Sequence, residues 1–278
     1  MKKITVSKAI GEALHEEMLR DDKVFIMGED MAVMGNVFAI TKGFLEEFGP
    51  KRVIDTPISE EGFVGMAVGA AMRGMRPVVE LMYDDFATEC ADPLFNQAAK
   101  IRYMTGGQCH VPMVLRAPMG AGRRNAGQHS QSLENFFCHF PGLKVVAPCT
   151  AQDAKGLLKS AIRDDDPVIF LEHKLLYAHK EQIPEEEYTI PLGQADIKRE
   201  GKDITIITWS REVNFSLEAA KTLTEQGIDA EVLDLRTLVP LDWDAIVQSV
   251  SKTHNAIIVS EEVKRGSFAG ELSAQIAE

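Results

Sequence analysis

Asp55–Glu80 reads "DTPISEEGFVGMAVGAAMRGMRPVVE". Two adjacent carboxylates, Glu60 and Glu61, stand at the mouth of a segment that is otherwise apolar, small or glycine. Residues from about Glu61 to Met72 predict a helix whose glycines and alanines admit a neighbouring backbone closely, so it belongs near the centre of a fold. Lys51–Asp55 before it and Pro77–Met82 after it are short apolar runs of strand character. Strand, helix and strand in this order form a crossover unit, and the acids follow the first strand's end, where open α/β sheets bind ligands.

The same alternation extends outward. Val6–Leu19 predicts an amphipathic helix and Val24–Met27 a strand ending at Gly28-Glu29-Asp30. Asp85–Tyr103 predicts one long helix, Pro112–Arg116 a strand, and the residues up to Gln131 a glycine-rich loop. Ser132–Phe140 (helix), Leu143–Ala147 (strand), Ala151–Ile162 (helix) and Val168–Glu172 (strand) follow. Apolar strands alternating with helices imply a doubly wound parallel sheet covered on both faces, here over residues 1–180. Residues 181–201, polar and containing "PEEEYT", predict a linker. From 202 a second α/β unit resumes with strands Ile204–Thr208, Ala230–Leu235 and Ala256–Ser260 and helices Phe215–Gln226, Trp243–Ser251 and one from Phe268. Three strands with an open edge make a small sheet, so this second domain is expected to be incomplete at Glu278.

Composition narrows the function. A 45% hydrophobic and 26% charged chain of 278 residues is globular, and its net charge of −12 disfavours nucleic acid and anionic membranes as partners. The four cysteines have neither disulfide-framework nor zinc spacing, which points to a reducing compartment. No signal peptide or spanning apolar run is present, so a cytoplasmic location is expected, or one reached by a removed targeting segment. No P-loop, GxGxxG or G-x-S-x-G element appears.

Two readings compete for each candidate residue. Glu60 is either a first-turn acid favoured by the helix dipole or, if desolvated beside Ile58, Phe63 and Val64, a raised-pKa carboxyl able to exchange a proton. Glu61, inside the helix, is the better capper. His129 in "GQHSQS" is a proton-transfer group or a surface histidine. "RDDD" at Arg163–Asp166 is a hard-cation site or a solvated helix end.

The Asp55–Glu80 stretch, with "NQAAKIRYMTGG" (96–107), "AGQHSQSLENFFCHFPGLKVVAP" (126–148), "DAKGLLKSAIRDDDPVIFLEHKLLY" (153–177) and "ADIKREGKDITII" (195–207), resembles the β subunits of thiamine-diphosphate-dependent 2-oxo acid dehydrogenases, of the pyruvate and acetoin types. The resemblance implies a pyrimidine-binding domain followed by a transketolase-type C-terminal domain. It places Glu60 against the cofactor's aminopyrimidine, where its hydrogen bond favours the imino tautomer that deprotonates the thiazolium carbon. It also implies Phe86 packed on the pyrimidine, Ile58 and Met82 lining the pocket, and His129 assisting acyl transfer to a lipoyl group. Glu29 would belong to an acidic path joining two active sites. Met113, Ala161, Asp164 and Asp166 match the positions that bind a structural potassium ion, with Asp166 where the family often has Asn. The chain contains no G-D-G…N motif for diphosphate and magnesium. By resemblance those are held by an α subunit, in an α2β2 heterotetramer docked on a dihydrolipoyl acyltransferase core. A branched-chain oxo acid enzyme, a self-contained transketolase-like enzyme and a non-catalytic scaffold are the alternatives.

Overall fold

A computed structural model describes residues 1–278. The chain opens with β1 (Lys2–Thr5), α1 (Val6–Arg20), β2 (Val24–Gly28), α2 (Phe44–Phe48), β3 (Val53–Asp55), α3 (Glu60–Met72) and β4 (Arg76–Glu80). After irregular helical turns come α4 (Ile101–Met104), β5 (Val114–Met119), α5 (Glu134–Cys138), β6 (Lys144–Val146), α6 (Ala151–Arg163), β7 (Val168–His173) and β8 (Lys180–Ile183). The remainder is β9 (Asp196–Arg199), β10 (Ile204–Thr208), α7 (Glu212–Glu225), β11 (Ala230–Asp234), β12 (Thr237–Val239), α8 (Trp243–Thr253), β13 (Ala256–Val259) and α9 (Phe268–Ala277).

The main sheet has the order β12-β6-β7-β5-β4-β2-β3 and is parallel except at β12. Every residue of β2, β5 and β7 is buried, which accounts for their largely apolar sequences, interrupted by Arg116 in β5 and by Glu172 and His173 in β7. One face is covered by α1 and α6, whose buried residues join Ile26, Val78, Val114 and Phe170 in one core. The other carries α3, and its core runs on without interruption into Trp209, Leu233, Leu238 and Ile246 of the second half.

β2 is followed in sequence by the edge strand β3 on one side, whereas β4 lies on its other side. The chain therefore departs in opposite directions from the ends of β2 and β4, and a crevice opens at this switch point. α3 crosses from the edge to β4, and its first turn lies at the rim of that crevice.

Three expectations change. The single helix over Asp85–Tyr103 is instead a 3₁₀ turn (Asp84–Thr88), a π turn (Asp92–Ala98) and α4. Pro93 has no N–H to offer the preceding turn, and the wide turn is visible where the Ala99 amide bonds the carbonyl of Leu94. The polar stretch read as a linker carries two strands: β8 pairs antiparallel with β1, and β9 pairs antiparallel with β11. Its charges are those of edge strands facing water. The second sheet consequently has four strands, β13-β10-β11-β9, and the second half also lends β12 to the first sheet. β13 has no neighbour on its outer side, and Ile257 there is 48% exposed. No helix is long and apolar enough to cross a membrane.

Candidate active site at the switch point

The floor of the crevice is a buried ionic network. Arg116 on β5 donates to Glu80 on β4 at 2.6 Å and to both oxygens of Glu172 on β7 at 2.7 and 2.8 Å. Asn36 donates to both Glu80 oxygens, at 2.9 and 2.8 Å, and the Tyr177 hydroxyl donates to Glu172 at 2.6 Å. Burial opposes the charge of Arg116, but Glu172 and Glu80 outweigh it and hold the guanidinium protonated. Burial raises the pKa of Glu80 against the opposing pull of Arg116. These residues were not singled out from the sequence, because they lie on separate strands and loops and only the fold aligns them: Glu80 pairs with Arg116 in the sheet register.

Glu29 sits above this floor, immediately after β2. Its Oε1 is buried and has no hydrogen-bond partner. Burial first, then the carboxylates of Glu60, Asp30 and Glu80, push its pKa up to about 7. Thr56, across the same mouth, also buries a hydroxyl without a partner.

Glu60 is the first residue of α3, half-buried, and Glu61 follows it in the exposed position. Ser59 makes no side-chain capping bond, so the helix start is left to the two acids. The expected apolar wall around Glu60 is only partly present: Phe63 and Val64 are buried, but Ile58 is 82% exposed. Beside it, Glu29 is a carboxyl whose proton affinity burial raises.

Met82 and Phe86 lie beyond the end of β4, buried and half-buried respectively. His129 reaches Phe86 from its loop. Its ring packs edge-on to Tyr83, with centroids 5.1 Å apart, and to Phe86 at 5.4 Å. The structure thus joins Phe86, Tyr83 and His129 directly, and brings Glu29 and Glu60 within electrostatic reach of one another. Asp84 and Asp85, unremarked in the sequence, are buried here, each with one unpartnered oxygen. Their adjacency just before Phe86 is the signal that was available.

An aminopyrimidine is a flat apolar ring with polar edges. Aromatic and apolar walls beside an unpartnered carboxyl that holds a proton near neutral pH suit it. The acids around Glu29 would repel a diphosphate, and no P-loop or GxGxxG element for one follows a strand.

The "RDDD" turn lies elsewhere, at the end of α6. Asp164 accepts Lys144 Nζ at 2.7 and 2.6 Å, and Asp166 accepts Arg102 at 2.5 and 2.7 Å. The Met113 carbonyl accepts the Val168 amide and the Ala161 carbonyl accepts the Asp164 amide. Arg76 donates to the Ile162 and Asp164 carbonyls. No cluster of three or more His, Cys, Asp or Glu side chains suits a metal. As they stand, these acids are neutralised by lysine and arginine, which fits a bound cation poorly.

Residues 2–180 match the family described as transketolase, pyrimidine binding domain, and residues 193–278 the transketolase C-terminal domain. A "Pyruvate dehydrogenase E1 component subunit beta" of Rickettsia felis is 53% identical over 99% of this chain and 83% of that protein. The "Acetoin:2,6-dichlorophenolindophenol oxidoreductase subunit beta" of Bacillus subtilis is 50% identical over 99% and 84%, and the "2-oxoisovalerate dehydrogenase subunit beta" of the same organism 48% over 97% and 83%. Among solved structures, a "Split gene transketolase, inactive beta4 tetramer" superposes with a TM-score of 0.81 at 22% identity, covering 98% of this chain and 85% of that one. At that identity the likeness concerns the fold.

Proposed function

Since the chain belongs to the β subunits of the thiamine-diphosphate-dependent 2-oxo acid dehydrogenases, within the transketolase-like superfamily, we propose that its switch-point crevice holds the pyrimidine half of the cofactor. An α subunit supplies magnesium and the diphosphate anchor, in an α2β2 assembly. The bound cofactor supplies the carbanion chemistry of 2-oxo acid decarboxylation. Glu60 would hold the pyrimidine edge and supply a carboxyl able to give and take a proton there. Glu29 lies behind it as a reservoir for that proton, and the observation that carries the reading is its buried, unpartnered Oε1 beside Glu60. Phe86, Met82 and Ile58 form the walls. The exposed Ile58 side chain is then covered by cofactor or partner.

His129, against Phe86 and Tyr83, assists acyl transfer to the lipoyl group of an acyltransferase core. The substrate is pyruvate, with acetoin the near alternative. Relatives named for pyruvate, acetoin and 2-oxoisovalerate have similar identities; on this reading substrate choice depends largely on the α subunit.

The test is Glu60→Gln in the chain co-expressed with its α subunit. The substitution keeps size and hydrogen bonding but removes proton exchange. Turnover should fall roughly 10²–10⁴-fold, the range for loss of a general acid–base group. Melting should barely move, and Glu61→Gln should cost only the small dipole contribution of an exposed first-turn acid. Near-wild-type turnover in Glu60→Gln would reduce that carboxylate to a cap.

A further inference from the structure

β7 ends in the buried His173, and the buried Lys174 follows it as the first residue of a 3₁₀ turn; the function above uses neither side chain. Lys174 spends its charge on a neutral group: Nζ donates to the backbone carbonyl of His129 at 2.8 Å. The ammonium also lies 4.7 Å from the centroid of the Tyr83 ring, the ring against which His129 packs. Burial lowers its pKa, opposed by Asp84, Asp85 and Glu261 and assisted by Arg123. Burying an ammonium in this way costs stability that an apolar side chain would not cost. The arrangement needs a reason other than folding.

His173 makes a second hold on the same loop. Its Nδ1 accepts the Leu175 amide at 3.2 Å, which assigns the ring proton to Nε2, 2.7 Å from Glu261. The other Glu261 oxygen accepts the Ala121 amide at 2.9 Å. Glu261 follows β13, so this hold comes from the second half of the chain. At the loop's neck, the Gly120 amide donates to the Gln131 carbonyl at 2.7 Å. Gly120 has a φ of 91°, and a Cβ there would overlap the His173 ring. The loop that carries His129 is thus fixed at its first residues and at the histidine's own backbone.

We propose that Lys174 and the His173–Glu261 pair are positioning residues that hold His129 at the crevice mouth, and that through Glu261 the second domain forms part of the acyl-transfer site. The proposal rests on the reading of His129 as the group that assists acyl transfer. Anchoring a loop histidine from two rigid strand ends keeps its imidazole within the narrow range that proton transfer requires. Without these holds the histidine would still be present, but displaced.

The experiment uses the α–β complex and two assays. Dichlorophenolindophenol reduction needs no lipoyl group; acylation of a free lipoyl domain does. Lys174→Met should depress lipoyl acylation at least about tenfold more than dye reduction, the order expected for a misplaced acid–base group. The loss should lie in kcat more than in KM for the lipoyl domain. Lys174→Arg, which keeps charge and donor, should recover much of it. Combined with His129→Ala, Lys174→Met should add nothing further. Independently, in the chain alone, Glu261→Ala should speed hydrogen exchange of the Ala121 amide roughly 10–100-fold, the loss of one hydrogen bond to a charged group. If His129→Ala impairs acylation and Lys174→Met does not, the positioning proposal is overturned while the role of His129 stands. If His129→Ala leaves acylation intact, that role falls and the proposal with it. Unchanged Ala121 exchange in Glu261→Ala also overturns it.

Discussion

Glu29→Gln isolates the electrostatics of the crevice in the chain alone. In the folded chain Glu29 titrates at about 7, against 4.5 for an unperturbed glutamate, because burial and then Glu60, Asp30 and Glu80 oppose its charge. A raised carboxyl contributes stability that is fully present below about 4.5 and is lost as the pH climbs through about 7. Between those values the folded chain keeps a proton that the unfolded chain has released, so the slope of unfolding free energy with pH is negative. At about 1.36 kcal/mol per unit the full shift corresponds to about 3 kcal/mol. The side chain is half-buried, and solvent screening reduces this to about 1–2 kcal/mol.

Glutamine has the same shape and no charge to lose. Urea unfolding of wild type and Glu29→Gln, followed from pH 4.5 to 8.5, should therefore give a difference that opens with rising pH. The variant should become more stable relative to wild type by about 1–2 kcal/mol, most of the change falling between pH 5 and 7.5. Carboxyl carbon NMR of Glu29 should show the same midpoint. A difference curve without slope over this range would show that the carboxyl is solvated or paired. A slope of opposite sign would mean that a cation faces it. Either result removes the proton reservoir from the proposed site.

Arg116→Met leaves Glu80 and Glu172 buried without their counter-ion and should cost roughly 3–5 kcal/mol at pH 8. The deficit should shrink toward pH 5, because burial already raises the proton affinity of Glu80; a pH-independent loss would assign the effect to packing. Gly120→Ala forces a side chain into a left-handed position against the His173 ring and should lower both stability and lipoyl acylation; an alanine variant with wild-type melting would show that the neck yields freely. At the turn after α6, Lys144 and Arg102 already neutralise Asp164 and Asp166. Melting should accordingly be indifferent to replacement of potassium by choline, and a clear fall in choline would show that these side chains give way to a bound ion.

The parallel sheet could be read from the sequence because strands buried on both faces are written as largely apolar runs, as in β2 and in most of β5 and β7. The strands that were missed gain their character from distant partners. Lys180–Ile183 and Asp196–Arg199 are charged because they are edges, and only their pairing with β1 and β11 makes them strands. The candidate site divides along the same line. The acids after β3 stand together in the sequence, so Glu60 could be singled out, as could the loop position of His129. Desolvation has no such local pattern. Ile58, adjacent in sequence to the helix start, points outward, whereas Glu29 from another strand end is a carboxyl whose proton affinity burial and neighbouring acids raise. Lys174 and Glu261 are more distant still, one just after β7 and the other after β13. A switch-point crevice gathers its walls from strand ends that are neighbours only in the sheet. The chemistry of such a site is therefore flagged by a motif on one strand and tuned by charges on others, and the residues that tune it are found only once the strand order is known.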